Sequence, residues 1–245
     1  EREIEEKELG PPDAKKYRAL AARANCLAAD RPDIAYAVKE NARRMSDPKR
    51  PDWEALIRLA RYLKGKPRLA MQFEFQDVCD HLVTYTDTDW AGCPRTRKST
   101  SGGVVMAGNH AMKSWSSTQA VVALSSGETA YYGLVKGASV ALGMRALLQD
   151  FGITCGIILK TDASAAKSIA SRLGVGKVRH IEVNHLWLQS KLAGGEVEII
   201  KVAGDKNVAD ALTKPMDKNK TEEHVRKTGG RFEVGRHALA PSSEE

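Results

Sequence analysis

Near residue 81 the chain changes its hydrophobic period, and that change constrains the fold more than any other feature. From Lys15 to Leu63 the apolar residues recur every three or four positions, as in "YRALAARANCLAAD" and "PDWEALIRLARYLKGK". This is the spacing of helices that bury one stripe. Pro32 opens "RPDIAYAVKENARRMSD" and suits the first turn of a further helix, while Asp52 favours the N-terminus of the next. Beyond His81 the texture becomes that of strands. "HLVTYTDTDW" is followed by "GGVVMAGN" and "AMKSWSS", a hairpin about Gly108-Asn109. A long helix over 125–150, the strand "GIILKTD", a short helix over 163–172, a basic helix over roughly 181–193 and the strand "EVEIIKVAG" complete the order. The pattern βββαβα(α)βα predicts a mixed α/β domain. The expected division is a linker over 1–12 ending at Gly10-Pro11-Pro12, a helical segment over 13–80, the α/β domain over 81–216 and a flexible polar tail over 217–245.

Bulk properties narrow the class. A formal net charge of +7 favours an anionic partner such as nucleic acid. Cys26, Cys79, Cys93 and Cys155 form no C-x-x-C pair and read as reduced thiols of an intracellular protein, which argues against a disulfide framework or zinc site. No apolar run approaches the roughly 18–20 residues of a membrane span. The acidic "EREIEEKELGPPD" lacks the apolar core of a signal peptide, and its first residue, Glu1, fits a piece of something longer. The expectation is an intracellular protein with no membrane partner, cytoplasmic and nuclear locations fitting equally.

Side chains alternate along a strand, so Val83, Tyr85, Asp87 and Asp89 share one face that ends in carboxylates. Asp162 ends the apolar run Ile157-Ile158-Leu159, and Asp210 in "NVADALTKP" follows the last strand. If the first and fourth strands are neighbours, Asp87 and Asp162 meet at the sheet's C-terminal edge. Such a cluster repels itself unless a cation neutralises it, and hard Mg²⁺ takes oxygen ligands. Each residue also has a plain alternative: turn chemistry at a strand end, or a helix cap at Asp210. His180 and His185, five apart, are poorly spaced for a shared metal. Trp90 and Trp115 read as core residues, and the loop arginines as a solvated surface.

Six longer motifs decide among these readings. "DRPDIAYAVKENARRMSDP", "ARYLKGKP", "YTDTDWAGCPRTRKSTSGG", "KSWSSTQAVVALSSGE", "VRHIEVNHLWLQ" and "VADALTKPM" occur in this order over about residues 15–216. Together they resemble the C-terminal part of the Pol polyprotein of copia-type LTR retrotransposons: the end of the reverse transcriptase, a connecting helical stretch, and ribonuclease H. The polymerase's Tyr-x-Asp-Asp signature is absent. The resemblance implies a ribonuclease H-like five-stranded mixed sheet with helices on both sides. It implies hydrolysis of the RNA strand of RNA–DNA hybrids by two Mg²⁺ ions, with Mn²⁺ as substitute, and the reverse transcriptase portion of the polyprotein as partner. Residue by residue, the metal-binding, catalytic aspartates fall on Asp87, Asp162 and Asp210, with Asp89 a neighbour only. Arg95, Arg97, Lys98, Lys177 and Arg179 become candidate contacts to the hybrid's phosphates and ribose 2′-hydroxyls.

One family position departs. The pattern resembles Ser-Ser-x-Glu-Ala-Glu-Tyr, whereas this chain reads "SSGETAYYG", with Glu128 at the first glutamate position and Ala130 at the second. The family's metal ligand corresponds to the second, so Glu128 is the substitute ligand only if the helix start shifts. Two positions lie about 200° apart around a helix, with Glu128 and Ala130 each about 80° off the apolar stripe on opposite sides. Periodicity leaves open which edge faces the metals. The departure implies impaired cleavage, and its rival reading is a catalytically dead module that binds nucleic acid or a polymerase partner. The loop "VAGDKNVAD" also lacks the histidine that cellular ribonucleases H carry there.

Overall fold

The computed structural model describes residues 8–174, 176, 180–182 and 185–235. The chain forms two units. One comprises the residues up to Phe73 together with those from Gly229 onward, and the other is Glu74–Thr228.

In the first unit, helices α1 (Pro11–Leu27), α2 (Ala35–Ala42) and α3 (Arg50–Gly65) enclose Tyr17, Ala21, Ile34, Val38, Leu56 and Leu59. Helices α1 and α3 start beside a proline, whose fixed φ suits the first turn, and Pro32 opens the 3-10 turn that leads into α2. The "RPDI" motif does structural work here. Arg31 forks onto Asp33 at 2.9 and 2.7 Å, and the Tyr62 hydroxyl donates to the same carboxylate at 2.8 Å. A charge this buried is stable only when paired in this way. Strand β1 (Arg68–Met71) pairs antiparallel with β7 (Gly230–Glu233), setting Leu69 opposite Phe232.

That pairing corrects the expected tail. Residues 218–233 form helix α7 (Lys218–Lys227) and strand β7 rather than a flexible end. The helix was hidden because it buries only His224 and Val225. It is stabilised instead by its Asp217 cap, which accepts from the Lys220 N–H, and by the Glu223–Lys227 pair one turn apart.

The second unit is built on β2 (His81–Asp89), β3 (Thr100–Ala107), β4 (His110–Thr118), β5 (Gly156–Thr161) and β6 (Glu198–Lys201) in the order β4-β3-β2-β5-β6. The first three strands run antiparallel and β2-β5-β6 run parallel. The five-stranded mixed sheet of the ribonuclease H-like expectation is therefore present. Gly108, with φ of +57°, and Asn109 make the two-residue hairpin turn.

Helices α4 (Ser126–Asp150), α5 (Ser164–Ala170) and α6 (Trp187–Ala193) supply the other layer. Tyr131, Leu134 and Ala138 pack with Ile157, Leu159, Ile169, Leu188 and Ile199. Helix α4 rides close on β2: a Cβ at Gly133 or Gly137 would come within 2.6 Å of Thr88 Cγ2 or 2.5 Å of Thr86 Cγ2. On the opposite face the single turn Asp210–Leu212 lies over Gly102, and Ser116 donates to the Leu212 carbonyl at 2.6 Å.

The fully buried face of β2 is Leu82, Thr84 and Thr86, not the half-buried Val83–Tyr85–Asp87 face. Threonine methyls fit under the α4 glycines, so this inner face reads as polar in sequence. Among the described residues all four cysteines are free, and no helix is long and apolar enough to cross a membrane.

Candidate metal centre

Asp87, Asp162 and Asp210 come from three separate stretches of chain, and the sheet explains why they meet. β2 and β5 run parallel with Tyr85 opposite Lys160, so two further steps set Asp87 and Asp162 at the same level. Asp210 opens the turn that lies over Gly102, the β3 partner of Asp87. The Asn207 side chain donates to the Thr86 carbonyl at 2.9 Å and fixes that loop on β2.

The electrostatics follow from this convergence. Burial pushes the Asp87 carboxyl up to about 6, and the negative charges of Asp162 and Asp210 add to the rise. Hydrogen bonds from the Thr213 hydroxyl and the Thr88 backbone oppose it. Lys214 places its ammonium 2.5 Å from Asp210 Oδ1. Its pKa rises chiefly through that bond, against some desolvation, with Asp87 and Asp162 contributing at longer range. Both partners arise from the short step Thr213-Lys214 directly after the Asp210 turn.

A hard divalent cation fits this donor set by its chemistry: three mutually repelling carboxylates, all hard oxygen donors. The carboxylates are not arranged as a closed cage. Among the described residues no group of three or more His, Cys, Asp or Glu side chains is poised to hold an ion, and Thr213 and Lys214 engage Asp87 and Asp210.

Glu128 stands outside the group. The residue is 1% exposed and its carboxylate makes three hydrogen bonds: Oε2 accepts the Leu124 N–H at 2.9 Å and lies 2.8 Å from His180 Nε2, while Oε1 accepts the Tyr132 hydroxyl at 2.9 Å. Burial raises its pKa, but these hydrogen bonds outweigh burial and hold it below the ordinary carboxylate value. The Ser125 hydroxyl accepts the Glu128 N–H at 3.2 Å, so Ser125 and Glu128 together cap α4 in a variant of the capping box. Glu128, the expected substitute ligand, is engaged at the start of α4: Leu124 and His180 meet one oxygen and Tyr132 the other. Ala130 lines a cavity of about 270 Å³ with Asp87, Asp162, Ser126, Gly127 and Ala165. The edge of α4 that faces the aspartates is thus the alanine edge.

Asp89 is likewise committed elsewhere. It accepts the Thr100 N–H at 2.5 Å, while Ala91 N–H donates to Ser99 Oγ at 2.9 Å. These bonds brace the loop that carries Arg95, Arg97 and Lys98. Arg95 and Arg97 are exposed, Lys98 is half-buried, and Arg97 has a φ of +53°. Lys177 and Arg179 lie outside the described residues. Trp90 is not a core residue: it is 54% exposed, with its indole N–H donating to the Ala123 carbonyl at 3.1 Å. Trp115 does pack against the Leu82–Val105 cluster. His185 stacks on Tyr132 at 4.7 Å. Sequence reasoning missed Thr213 and Lys214, although the i, i+4 spacing of Asp210 and Lys214 was a usable signal. Nothing in the sequence joined His180 to Glu128 across 52 positions.

The chain is similar to two transposon proteins. It is 30% identical over 222 residues to the retrovirus-related Pol polyprotein from transposon RE2 of Arabidopsis thaliana, covering 89% of this chain and 15% of that protein. It is 29% identical over 194 residues to the corresponding polyprotein from transposon TNT 1-94 of Nicotiana tabacum, covering 78% of this chain and 14% of that protein. The chain thus spans about one seventh of the length of these curated relatives. Among solved structures it is similar to ribonuclease H1 from the archaeon Halobacterium salinarum, with a TM-score of 0.40 and 19% identity over 54% of this chain and 94% of that one. No family model matches.

Proposed function

We propose, from the premise that this chain belongs to the retrovirus-related Pol polyproteins of transposons, that its α/β unit is the ribonuclease H domain of a copia-type element. Its substrate is the RNA strand of an RNA–DNA hybrid, and its partner is the reverse transcriptase portion of the same polyprotein. The observation that carries this reading is the convergence of Asp87, Asp162 and Asp210 at one sheet edge, close enough for the other two to raise the Asp87 pKa.

Asp87, Asp162 and Asp210 would hold Mg²⁺ or Mn²⁺, which when bound supply an activated water and stabilise the leaving oxygen of a phosphodiester. The protein's own residues do the rest. The Thr213 hydroxyl orients the Asp87 carboxylate, and Asn207 fixes the loop that delivers Asp210. The braced loop holds Arg95, Arg97 and Lys98 at the surface, where they suit phosphates of the hybrid. Lys177 and Arg179, which lie outside the described residues, are proposed from the sequence as further phosphate contacts.

A second reading rests on Glu128 and Ala130. With Glu128 committed to the α4 cap and alanine at the facing position, the site has three carboxylates where the family uses four. The domain is then a binder of hybrid or polymerase that no longer cleaves. Binding and cleavage of a labelled RNA–DNA hybrid in Mg²⁺ and Mn²⁺ separate the two readings. Cleavage by the parent that Asp87→Asn abolishes establishes the nuclease. Binding without cleavage, with cleavage recovered in Ala130→Glu, establishes the binding module. Absence of both binding and cleavage in every variant refutes both.

A further inference from the structure

The three-aspartate group is already in contact with a cation that the chain provides. Lys214 Nζ lies 2.5 Å from Asp210 Oδ1, and Thr213, one residue earlier, donates its hydroxyl to Asp87 Oδ2. The turn Asp210–Leu212 carries both residues on the same short stretch of backbone and delivers them to two different carboxylates. Ala130 adds no fourth negative charge, and Lys214 is an ammonium in direct contact with the group.

The two ends of this pair differ in freedom. Asp210 sits on the turn packed over Gly102 and its side chain is 31% exposed, whereas the Lys214 side chain is 51% exposed on a flexible four-carbon stem. Lys214 also lines a cavity of about 620 Å³ that runs from Asp162 and Asp210 past Lys206 and Lys220 toward α7. An ammonium leaving Asp210 therefore has open space to enter. An exposed ion pair is weak, and a divalent ion outcompetes it wherever two or more carboxylates converge.

Building on the carboxylate reading above, we infer that Lys214 is a resident counter-cation of the Asp87–Asp162–Asp210 group, exchanged for a divalent metal ion when one binds. The lysine keeps three like charges together in the metal-free protein, and its departure sets a threshold on metal affinity. Lys214 is a positioning residue in this scheme, acting through the carboxylates it pairs with.

The test is calorimetric titration of the full chain with MnCl₂ at low ionic strength. Parent, Lys214→Met, Lys214→Gln, Lys214→Arg and Asp162→Asn are compared, with circular dichroism as the folding control. The expected result is Mn²⁺ binding tightened about two- to fivefold in Lys214→Met and Lys214→Gln, in keeping with the strength of one exposed ion pair. Lys214→Arg should match the parent, and the gain should shrink in high salt as the pair is screened. Equal Mn²⁺ affinity in the parent, Lys214→Met and Lys214→Gln, with Asp162→Asn defective, overturns the exchange and leaves the carboxylate site standing. No Mn²⁺ binding by any folded variant overturns both.

Discussion

Substituting Glu128 separates structure from catalysis at the residue where the family pattern makes the two hardest to tell apart. In Glu128→Ala the Leu124 N–H, the Tyr132 hydroxyl and the His180 ring each lose their acceptor. A hydrogen bond to a charged acceptor contributes about 1.5–3 kcal/mol. The His180 bond belongs at the low end because its side chain is 44% exposed and the pair is screened by solvent. With the His180 bond discounted for exposure and the Leu124 and Tyr132 bonds taken toward the low end, the expected loss is about 3–4 kcal/mol. For a unit of this size that lowers Tm by roughly 10 °C. Glu128→Gln keeps one carbonyl acceptor and should lose only about 1–2 kcal/mol.

The pH dependence has a definite sign. Glu128 has a folded pKa below its ordinary value of 4.5, so its contribution is fully present at neutral pH. It is lost as pH falls through 4.5 and below, and the parent and Glu128→Ala should converge on the acid side. Thermal and urea melts across pH 3–8, with Mn²⁺ titration of the Glu128→Gln protein, measure all of this. The reasoning fails if Glu128→Gln keeps the parent's stability but loses Mn²⁺ binding, because the carboxylate would then serve the metal and not the cap.

Three further outcomes follow from the same geometry. Asp87 is raised from 3.8 to about 6 in the fold, so its destabilising effect grows between those pH values and is complete above them. Metal-free Asp87→Asn should therefore be more stable than the parent at pH 7, by about 2–3 kcal/mol, and no more stable at pH 3.5; calorimetry at the two pH values checks it. Gly137→Ala should lose about 1–3 kcal/mol despite alanine's better helix propensity, because its methyl would meet Thr86 Cγ2 at 2.5 Å; urea unfolding reads this directly. Millimolar Mg²⁺ should raise the Tm of the parent, and EDTA should reverse the rise, while Asp162→Asn shows neither change.

Much of the α/β unit was legible because its strands and long helix carry strong local signals. "GIILKT" and "GGVVMA" are apolar runs bounded by turn residues, and the Gly-Asn dipeptide marks the hairpin. The aspartates were legible for a similar reason, each ending or following a strand. What escaped was set by contacts between distant positions. The inner face of β2 is threonine matched to glycines on α4, a packing that looks polar until the two meet. Strand β7 finds β1 across some 160 residues, and its four residues carry little pattern of their own. Periodicity left two edges of α4 equivalent, and the choice between them comes from the cap that Glu128 makes with Leu124, Tyr132 and His180. Trp90 looked like core because large aromatics usually are, yet it is half exposed, with its indole N–H donating to the Ala123 carbonyl.

The central claim is that the three-aspartate edge acts on the RNA strand of a hybrid. Its most direct test is product analysis of one RNA–DNA hybrid labelled in turn on each strand, incubated in Mn²⁺ with the parent, Ala130→Glu and Ala130→Glu/Asp162→Asn. The account predicts cuts in the RNA strand alone, strongest in Ala130→Glu and absent once Asp162 is replaced. Cutting of the DNA strand, or RNA cutting that survives Asp162→Asn, would contradict it.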